Sequence, residues 1–189
     1  MLRVLRTIAD GEDPTPLLDA SPSVVTAALG RADECLLLPR RAQVYAGDTA
    51  LHAAAFTYDA ALARDLVARG ADVHARNRRG AEPIHAATFG GPGSPYWDPP
   101  AQVAVIRYLV EAGAEVDARA AGGVTPLHRA VRNRCAAAVE ALLALGADPA
   151  ATNDKGSSPM DLAGWTTGRG GTGTPEAKAE QQRIIDLLH

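Results

Sequence analysis

The sequence predicts an all-α solenoid in which helix–turn–helix units stack along the chain, and three observations lead to this prediction. Signals for a helix start, each a polar residue followed by Ala or Pro and an apolar side chain, recur at Thr49, Glu82, Thr125 and Ser158. Signals for a helix end, each a Gly-Ala pair followed by an acidic residue, recur at Gly70, Gly113 and Gly146. The first two starts lie 33 residues apart, as do the last two, so the units share one period.

The unit that begins at Thr125 shows most clearly why these residues form helices. The Thr125 hydroxyl can cap free backbone N–H groups, and Pro126 stands where its missing N–H loses no hydrogen bond. A second helix over 136–145 has an aliphatic face, and Gly146 ends it in a left-handed conformation. The side chains expected to be buried across the units are Leu51, Leu66, Ile84, Ile106, Leu109, Leu127, Val139 and Leu142.

The repeated motif resembles the ankyrin repeat, which has a period of 33 residues and the signature T-P-L-H-x-A. The four copies read TALHAA, EPIHAA, TPLHRA and SPMDLA, and the resemblance covers about residues 47–189. It implies a stack of helix pairs with turn or hairpin fingers, and a concave groove that holds other proteins.

The predicted organisation is a single domain over 1–189. It consists of a degenerate N-terminal cap at 1–46, repeat 1 at 47–79, repeat 2 at 80–122 with an insertion at 92–101, repeat 3 at 123–155, and repeat 4 or C-terminal cap at 156–189 with an insertion at 168–178. In the cap we expect a helix over 1–9, which would be the first helix of a degenerate repeat. A second helix is expected over 13–20 and a further helical segment over 23–30. No repeat signature follows before residue 47.

Both insertions fall between the inner and the outer helix of their repeats. The glycines and prolines of 90–100 exclude a helix there and predict a loop. We expect Trp97 to cover the end of the inner helix near Phe89, with the 168–175 loop alongside and Trp165 at its base. The last helix is expected over 176–188.

Composition excludes several functional classes. A net charge of −3 and a pI near 5.9 give the molecule as a whole no electrostatic attraction to nucleic acid or to an anionic membrane. No apolar run approaches the ~20 residues of a membrane span, and the N-terminus does not read as a signal peptide. Two cysteines, Cys35 and Cys135, are too few for a disulfide framework and are expected to be unpaired. We therefore predict a cytoplasmic protein, a monomer or weak oligomer.

Three histidines, His52, His85 and His128, occupy one column of the repeats and raise the question of a metal site. The resemblance implies a structural role instead, with each ring bonded to the backbone and to the capping Thr where neighbouring repeats meet. Successive layers also stand too far apart for ligands that must converge to about 2 Å from one ion. With no catalytic motif in the chain, we expect no metal, no cofactor and no enzymatic activity.

A second column, seven residues after each start, contains Phe56, Phe89, Arg132 and Trp165. The resemblance implies that this column faces the concave groove, beside turn residues such as Tyr45. The predicted partner-binding residues are Tyr45, Phe56, Arg78, Arg79, Phe89, Trp97, Arg129, Arg132, Asn133 and Trp165. Two alternatives stay open: Phe89 and Trp165 equally fit packing beneath their own loops, and the arginines equally fit solvated charges on exposed turns.

The sequence thus favours a non-catalytic binding module that holds a protein or peptide partner in its concave groove. An excess of arginine there favours an acidic or phosphorylated partner. The alternative is an enzyme or small-molecule-binding protein in which the two inserted loops enclose a pocket. Trp97, Phe89, Arg132 and Trp165 would line that pocket.

Overall fold

Ten α-helices and one two-stranded hairpin form most of residues 1–37, 42–164 and 173–189, the parts of the chain that the computed structural model describes. The helices are α1 (Leu2–Asp10), α2 (Thr15–Ala20), α3 (Ala50–Phe56), α4 (Ala60–Ala68), α5 (Pro83–Ala87), α6 (Pro99–Glu111), α7 (Pro126–Asn133), α8 (Ala136–Ala144), α9 (Pro159–Ala163) and α10 (Pro175–Leu188). The strands are β1 (Cys35–Leu37) and β2 (Ala42–Val44). None of the helices in these residues has the length and apolar character that a bilayer crossing requires.

The helices of the repeats stack in two layers. Helices α3, α5, α7 and α9 pack on one another in sequence and form the inner layer, while α4, α6, α8 and α10 form the outer layer. Each inner helix also packs on the outer helix that follows it. Because α1 packs on α3, it extends the inner layer by one position. The predicted all-α solenoid is confirmed.

The predicted helix boundaries of the repeats are confirmed. The N-cap residues of the four inner helices are Thr49, Glu82, Thr125 and Ser158. After the outer helices, Gly70, Gly113 and Gly146 have φ values of 98°, 104° and 93°. Glycine adopts this left-handed conformation without a steric penalty, so it ends each helix cleanly.

The predicted core is confirmed as well. The buried side chains include Leu51, Leu66, Ile84, Ile106, Leu109, Leu127, Val139 and Leu142, all at 0% exposure. Alanines such as Ala54, Ala87 and Ala138 fill places between them. These short side chains let neighbouring helices approach closely and pack at the density of a protein interior.

The N-terminal cap departs from the prediction in two places. Helix α1 ends at Gly11 in the left-handed conformation, with φ of 78°, as expected. The helical piece predicted over 23–30 is wrong, since only one turn of 3-10 helix, Pro22–Val24, occurs there. Residues 31–46, which show no repeat signature, contain the paired strands of the β1–β2 hairpin, and the sequence did not predict these strands.

The hairpin belongs to a small hydrophobic cluster of its own. Its strands pair antiparallel, with Leu37 opposite Ala42 and Cys35 opposite Val44. Leu37, Ala42 and Val44 face inward and pack with Leu5 of α1, while Leu36, on the other face, is 51% exposed. The alternation of buried and exposed residues, which lets one face of the ribbon cover α1, explains why a strand forms here.

The first insertion contains less loop than predicted. Helix α6 begins at Pro99, so the expectation of no helix over 90–100 is wrong at its last two residues. The Asp98 carboxylate accepts a hydrogen bond from the Ala101 N–H at 3.0 Å and caps the helix. Pro99 and Pro100 then occupy first-turn positions, where a missing N–H loses no bond. With 13 residues against nine in α4 and nine in α8, α6 takes up part of the inserted length.

The remaining loop is tightly seated on its own repeat and on the next one. The Trp97 indole N–H donates to Gln102 Oε1 at 3.0 Å, and Gln102 Nε2 donates to the carbonyls of Ala87 at 2.9 Å and Phe89 at 3.1 Å. Trp97 therefore lies at the end of the inner helix near Phe89, as predicted. At Gly91, with φ of 141°, a Cβ would stand 2.2 Å from the Asn133 carbonyl oxygen.

Residues 175–178 of the second insertion, predicted at 168–178, belong to helix α10. Residues 168–172 of the insertion lie outside the described part of the chain. The expectation for Trp165 and its loop lies there too. Helix α10 begins at Pro175 and confirms the predicted last helix. Its Glu180 side chain accepts a hydrogen bond from the Ala136 N–H at 2.8 Å, so α10 caps the free N-terminus of α8.

Replacing Gly91 by Ala tests how the loop is seated. Gly91 and Gly93 both have positive φ, but a Cβ at Gly93 meets open space, so Gly93→Ala is the matched control for backbone strain. We expect Gly91→Ala to lose about 1–3 kcal/mol more of the free energy of unfolding than Gly93→Ala, because its methyl group overpacks the contact with Asn133. Urea unfolding followed by circular dichroism measures the difference. Equal losses in the two variants would show that the loop does not dock at Asn133.

Replacing Leu127 by Ala tests the register of the core. Leu127 is fully buried, so we expect Leu127→Ala to lower the free energy of unfolding by about 2–5 kcal/mol. Leu36→Ala removes the same atoms from an exposed position and should change stability by no more than about 0.5 kcal/mol. A loss of that small size in Leu127→Ala would contradict the register.

Candidate binding groove

One groove of about 960 Å³ runs along the inner layer of the stack. Side chains of α3, of α7, and of α5 with the residues directly after it form the floor, among them Phe56, Phe89 and Arg132. The hairpin contributes Val44 at one end, and α10 contributes Ile184 at the other. The solenoid therefore presents a concave surface with walls at both ends.

Histidine side chains fix the spacing of the helices beneath this surface. In each ring Nδ1 accepts from the backbone N–H of the capping residue, at 3.2 Å in His52, 3.2 Å in His85 and 3.3 Å in His128. The proton must then lie on Nε2, which donates to the Ala81, Val124 and Ser157 carbonyls at 3.0, 3.1 and 3.0 Å. Each acceptor carbonyl belongs to the residue directly before the N-cap of the next inner helix. The predicted bonds at the repeat boundaries are confirmed, with Glu82 in place of Thr in the second repeat.

Burial keeps the rings of His85 and His52 neutral. It lowers the pKa of His85 to about 3, and the nearby positive charge of Arg129 contributes to the shift. Burial also lowers the pKa of His52. A neutral imidazole has one donor and one acceptor nitrogen, the combination that a bond to each of two repeats requires.

An aromatic pair lies in the middle of the groove floor. The ring centroids of Phe56 and Phe89 are 4.9 Å apart, with 38° between the ring planes. Phe56 also packs against the hairpin cluster, whereas Phe89 is 47% exposed. Arg132 occupies the equivalent position one repeat further on. The column predicted to face the groove does so in the three repeats where the structure describes it.

Tyr45, which lines the groove, is in contact with two arginines. The guanidinium carbons of Arg78 and Arg79 lie 5.2 and 5.5 Å from the centre of the Tyr45 ring, within cation–π range. Arg78 forms an ion pair with Glu34 and is not among the residues that line the groove. Arg79 lines it and has no carboxylate partner among the described residues.

Arg129 lies at the centre of the floor. Its Nη1 donates to the His85 carbonyl at 3.2 Å. Burial, and then the positive charges of Arg132 and Arg79, lower the pKa of the Arg129 guanidinium to about 10. Arg129 is still charged at neutral pH, and it is held beside two like charges.

The lining carries far more positive than negative charge. Among the described lining residues, Asp48 is the one carboxylate, against Arg79, Arg129, Arg132 and Arg134. Asp48 is already engaged, since Oδ1 accepts from Asn77 Nδ2 at 2.8 Å and Oδ2 accepts from the Tyr45 N–H at 2.7 Å. The groove is therefore basic on a chain whose net charge is −3.

Most of the predicted site residues come together in this groove: Tyr45, Phe56, Arg79, Phe89, Arg129, Arg132 and Asn133 line it. Arg78 and Trp97 do not, because one is paired with Glu34 and the other is bonded to Gln102. Trp165 lies outside the described residues.

Sequence reasoning missed the lining residues that come from outside the repeat motif. These are mainly Leu5, Ala9, Leu37, Ala42, Val44, Gln181 and Ile184. Arg134 was not among the predicted partner-binding residues, but it lines the groove. It is 4% exposed, has φ of 61°, and has a buried Nη1 with no hydrogen-bond partner among the described residues. A basic residue directly after an inner helix was the one available signal.

A family model described as ankyrin repeats (3 copies) matches residues 51–153, more than half of the chain. The protein belongs to the ankyrin-repeat family. Ankyrin repeats are generally modules for protein–protein interaction. A search of the curated proteins found no match to the chain.

The buried histidine of the second ankyrin repeat predicts a dependence of stability on pH. The pKa of His85 falls from 6.5 to about 3 on folding, so between these values the unfolded chain binds the proton and the folded one does not. We expect His85 to reduce the free energy of unfolding by up to about 1.4 kcal/mol per unit as pH falls from 6.5 towards 3.

His85→Gln removes this contribution. Urea unfolding at pH 7, 6, 5 and 4 should therefore show a smaller loss of stability on acidification in His85→Gln than in the wild type. His74→Gln is the control, since the His74 side chain is 49% exposed. Parallel pH profiles for wild type and His85→Gln would contradict the assignment of a buried neutral ring.

Proposed function

We propose that this ankyrin-repeat protein is a non-catalytic binding module that holds an acidic protein or peptide partner in the groove. One observation supports this most strongly: arginines that have no carboxylate partner among the described residues line the same concave surface as the exposed Phe89 and its neighbour Phe56. The proposal includes a cytoplasmic location, no nucleic-acid or membrane partner, and a monomer or weak oligomer. The free thiols of Cys35 and Cys135 are consistent with a reducing compartment.

The aromatic pair supplies an apolar contact for the partner. Phe89 is 47% exposed. A partner that covers its ring removes apolar surface from water, and this burial stabilises the complex. Aromatic residues and arginine are also the types most enriched where interfaces concentrate their binding energy. Phe89 and Arg132, at equivalent positions in adjacent repeats, combine both types.

The charge of the groove supports an acidic partner. Arg79, Arg129 and Arg132 repel one another, and an opposing negative charge would relieve that repulsion. Charge complementarity of this kind accelerates encounter and excludes basic partners. Because the rest of the chain is acidic, the attraction acts locally, at the groove, and selects where on the molecule the partner binds.

The alternative, an enzyme or small-molecule pocket enclosed by the two insertions, has less support. Trp97, which would line that pocket, is bonded to Gln102 instead. The buried thiol nearest to the loop, Cys135, contacts the Gly90 carbonyl at 3.6 Å, and burial raises its pKa to about 12. A thiol with such a pKa is protonated at neutral pH and is a poor nucleophile.

The test compares a groove variant with a matched surface variant. Phe89→Ala/Arg132→Ala removes an exposed aromatic ring and an exposed charge from the groove. Leu36→Ala/Arg107→Ala removes comparable groups that do not line it. Phe56 is left intact because it also packs against the hairpin cluster, so its loss would disturb the fold.

Affinity capture from native lysate, with quantitative mass spectrometry, measures the outcome. We expect the wild type and the surface variant to retain the same partner, and the groove variant to bind it at least about thirtyfold more weakly, the effect of a loss of 2 kcal/mol or more. Circular dichroism confirms that all three proteins are folded. Equal capture by the groove variant would contradict the proposal.

A further inference from the structure

Arg79, Arg129 and Arg132 form a cationic cluster in the groove, since all three line it and the charges of Arg132 and Arg79 both act on Arg129. Arg69, Arg76, Arg78, Arg119 and Arg183 each lie within 4.0 Å of an Asp or Glu oxygen. The three cluster arginines have no such contact within the described ranges, although all three line the groove. Within the described lining, Asp48 is the one carboxylate, and its oxygens already accept from Asn77 and from the Tyr45 N–H.

The cluster is held in place by the fold. Arg129 is anchored through its bond to the His85 carbonyl, and that histidine is itself fixed between two repeats. The Arg79 guanidinium lies 5.5 Å from the centre of the Tyr45 ring. Arg132 projects from the last turn of α7. Arg129 and Arg79 are thus positioned by contacts that exist before any ligand arrives, which lowers the entropic penalty of binding.

The charge of the cluster sets the charge of its ligand. Three guanidinium groups face one nearby carboxylate, that of Asp48, whose oxygens already accept from Asn77 and from the backbone. Positive charge therefore remains in excess, and Arg134, which also lines the groove, adds to it. A single carboxylate supplies one negative charge, whereas a phosphate monoester carries about −1.5 to −2 at neutral pH and neutralises more of the excess. The forked donors of arginine also match phosphate oxygens.

The surroundings of the cluster indicate that the anion is attached to a peptide. Phe56 and Phe89 occupy the position of Arg132 in the two preceding repeats, so the apolar pair and the cluster adjoin along the groove. A ligand with an anion at one end and an apolar side chain at the other would fill both. An extended peptide, in which alternate side chains point to the same side, can place both groups along the groove.

We infer that Arg79, Arg129 and Arg132 form a subsite for a phosphorylated side chain of the partner, with an apolar side chain of the same peptide on the Phe56–Phe89 pair. The inference rests on the proposed function and adds the chemical class of the ligand to it. Phosphoserine, phosphothreonine and phosphotyrosine share the group that the cluster recognises, and the experiment separates them.

The probes are degenerate, fluorescein-labelled peptide pools with one fixed central residue. Three pools carry phosphoserine, phosphothreonine or phosphotyrosine, three carry the unphosphorylated residues, and one carries Glu. Fluorescence anisotropy with the full chain measures affinity. We expect one phosphorylated pool to bind at least about tenfold more tightly than both its unphosphorylated counterpart and the Glu pool, since charge-assisted bonds to the dianion exceed those to a monoanion.

Three variants locate the site. Arg79→Gln and Arg132→Gln alter exposed side chains, so the fold should survive, and each should reduce the preference for the phosphorylated pool to less than about threefold. Arg78→Gln, next in the chain to Arg79 but paired with Glu34, should retain the preference. The ratio of two affinities measured on one protein is insensitive to a modest loss of stability. Arg129 is not varied because it bonds to the backbone of α5.

Several results would overturn the inference. Equal affinity for the Glu and phosphorylated pools would show that the groove recognises negative charge in general and not the phosphate group. Tighter binding of a labelled single-stranded DNA oligonucleotide than of any peptide pool would show a nucleic-acid surface. A preference unchanged in Arg79→Gln and Arg132→Gln would place the site elsewhere.

A phosphatase arm separates this inference from the proposed function. If phosphatase treatment of the lysate leaves the captured partner in place, and Phe89→Ala/Arg132→Ala still releases it, the groove binds a partner without phosphate. The proposed function then stands and the present inference fails. If the groove variant retains the partner, both fail.

Discussion

The rest of the molecule depends on one interaction, the hydrogen bond from a histidine ring to the carbonyl group directly before the N-cap of the next inner helix. The rings of His52, His85 and His128 each accept a hydrogen bond from the backbone N–H of the N-cap residue of their own helix. Each ring also donates one to a carbonyl group of the next repeat, so one side chain both caps its helix and sets the spacing to the neighbouring repeat. Asp161 occupies the same position in the fourth repeat. Its carboxylate accepts from Ser158 N–H at 2.8 Å but has no proton to donate at neutral pH, so the series of boundary bonds stops there.

The groove follows from the regularity of these steps. Because each inner helix is placed at the same register, residues one period apart form columns, and the aromatic contact between Phe56 and Phe89 is a contact between equivalent positions. Arg132 in the third repeat changes the column from apolar to cationic. The groove is thereby divided along its length into an apolar part and a basic part, and one substitution in a repeated motif creates that division.

Sequence alone predicted the features that local chemistry determines. Caps such as Thr125 and stops such as Gly146 carry their structural meaning in the residue itself, and the period then places Phe56, Phe89 and Arg132 on one face. The hairpin could not be predicted, because three-residue strands show too little alternation, and β1 and β2 pack on Leu5, about thirty residues earlier in the chain. The proline rule failed at Pro99, where Asp98 caps a helix that proline can begin.

Two predicted partner-binding residues do not line the groove because polar groups outside the repeat motif hold their side chains. The indole N–H of Trp97 is bonded to Gln102, a buried glutamine of the lengthened helix α6, and the repeat motif does not specify that bond. Arg78 and Arg79 are adjacent and chemically identical, yet Glu34 engages only the first. The resemblance to a repeat family fixes register well, whereas the pairing of individual charges is decided by residues outside the repeats.

The hairpin wall and the floor of the groove differ in the free energy that is needed to open them. Its inward residues, including Leu37 and Val44, share a cluster with Leu5 and Leu29 that is distinct from the main core. Detaching the hairpin from α1 exposes only the few buried side chains of this cluster. Exposing the main core beneath the groove floor requires whole repeats to separate. Amide hydrogens of β1 and β2 should therefore exchange through local openings, at a free energy well below that of global unfolding. A ligand seated against Val44 would slow that exchange without changing the stability of the distant repeats, which makes the hairpin a native reporter of occupancy.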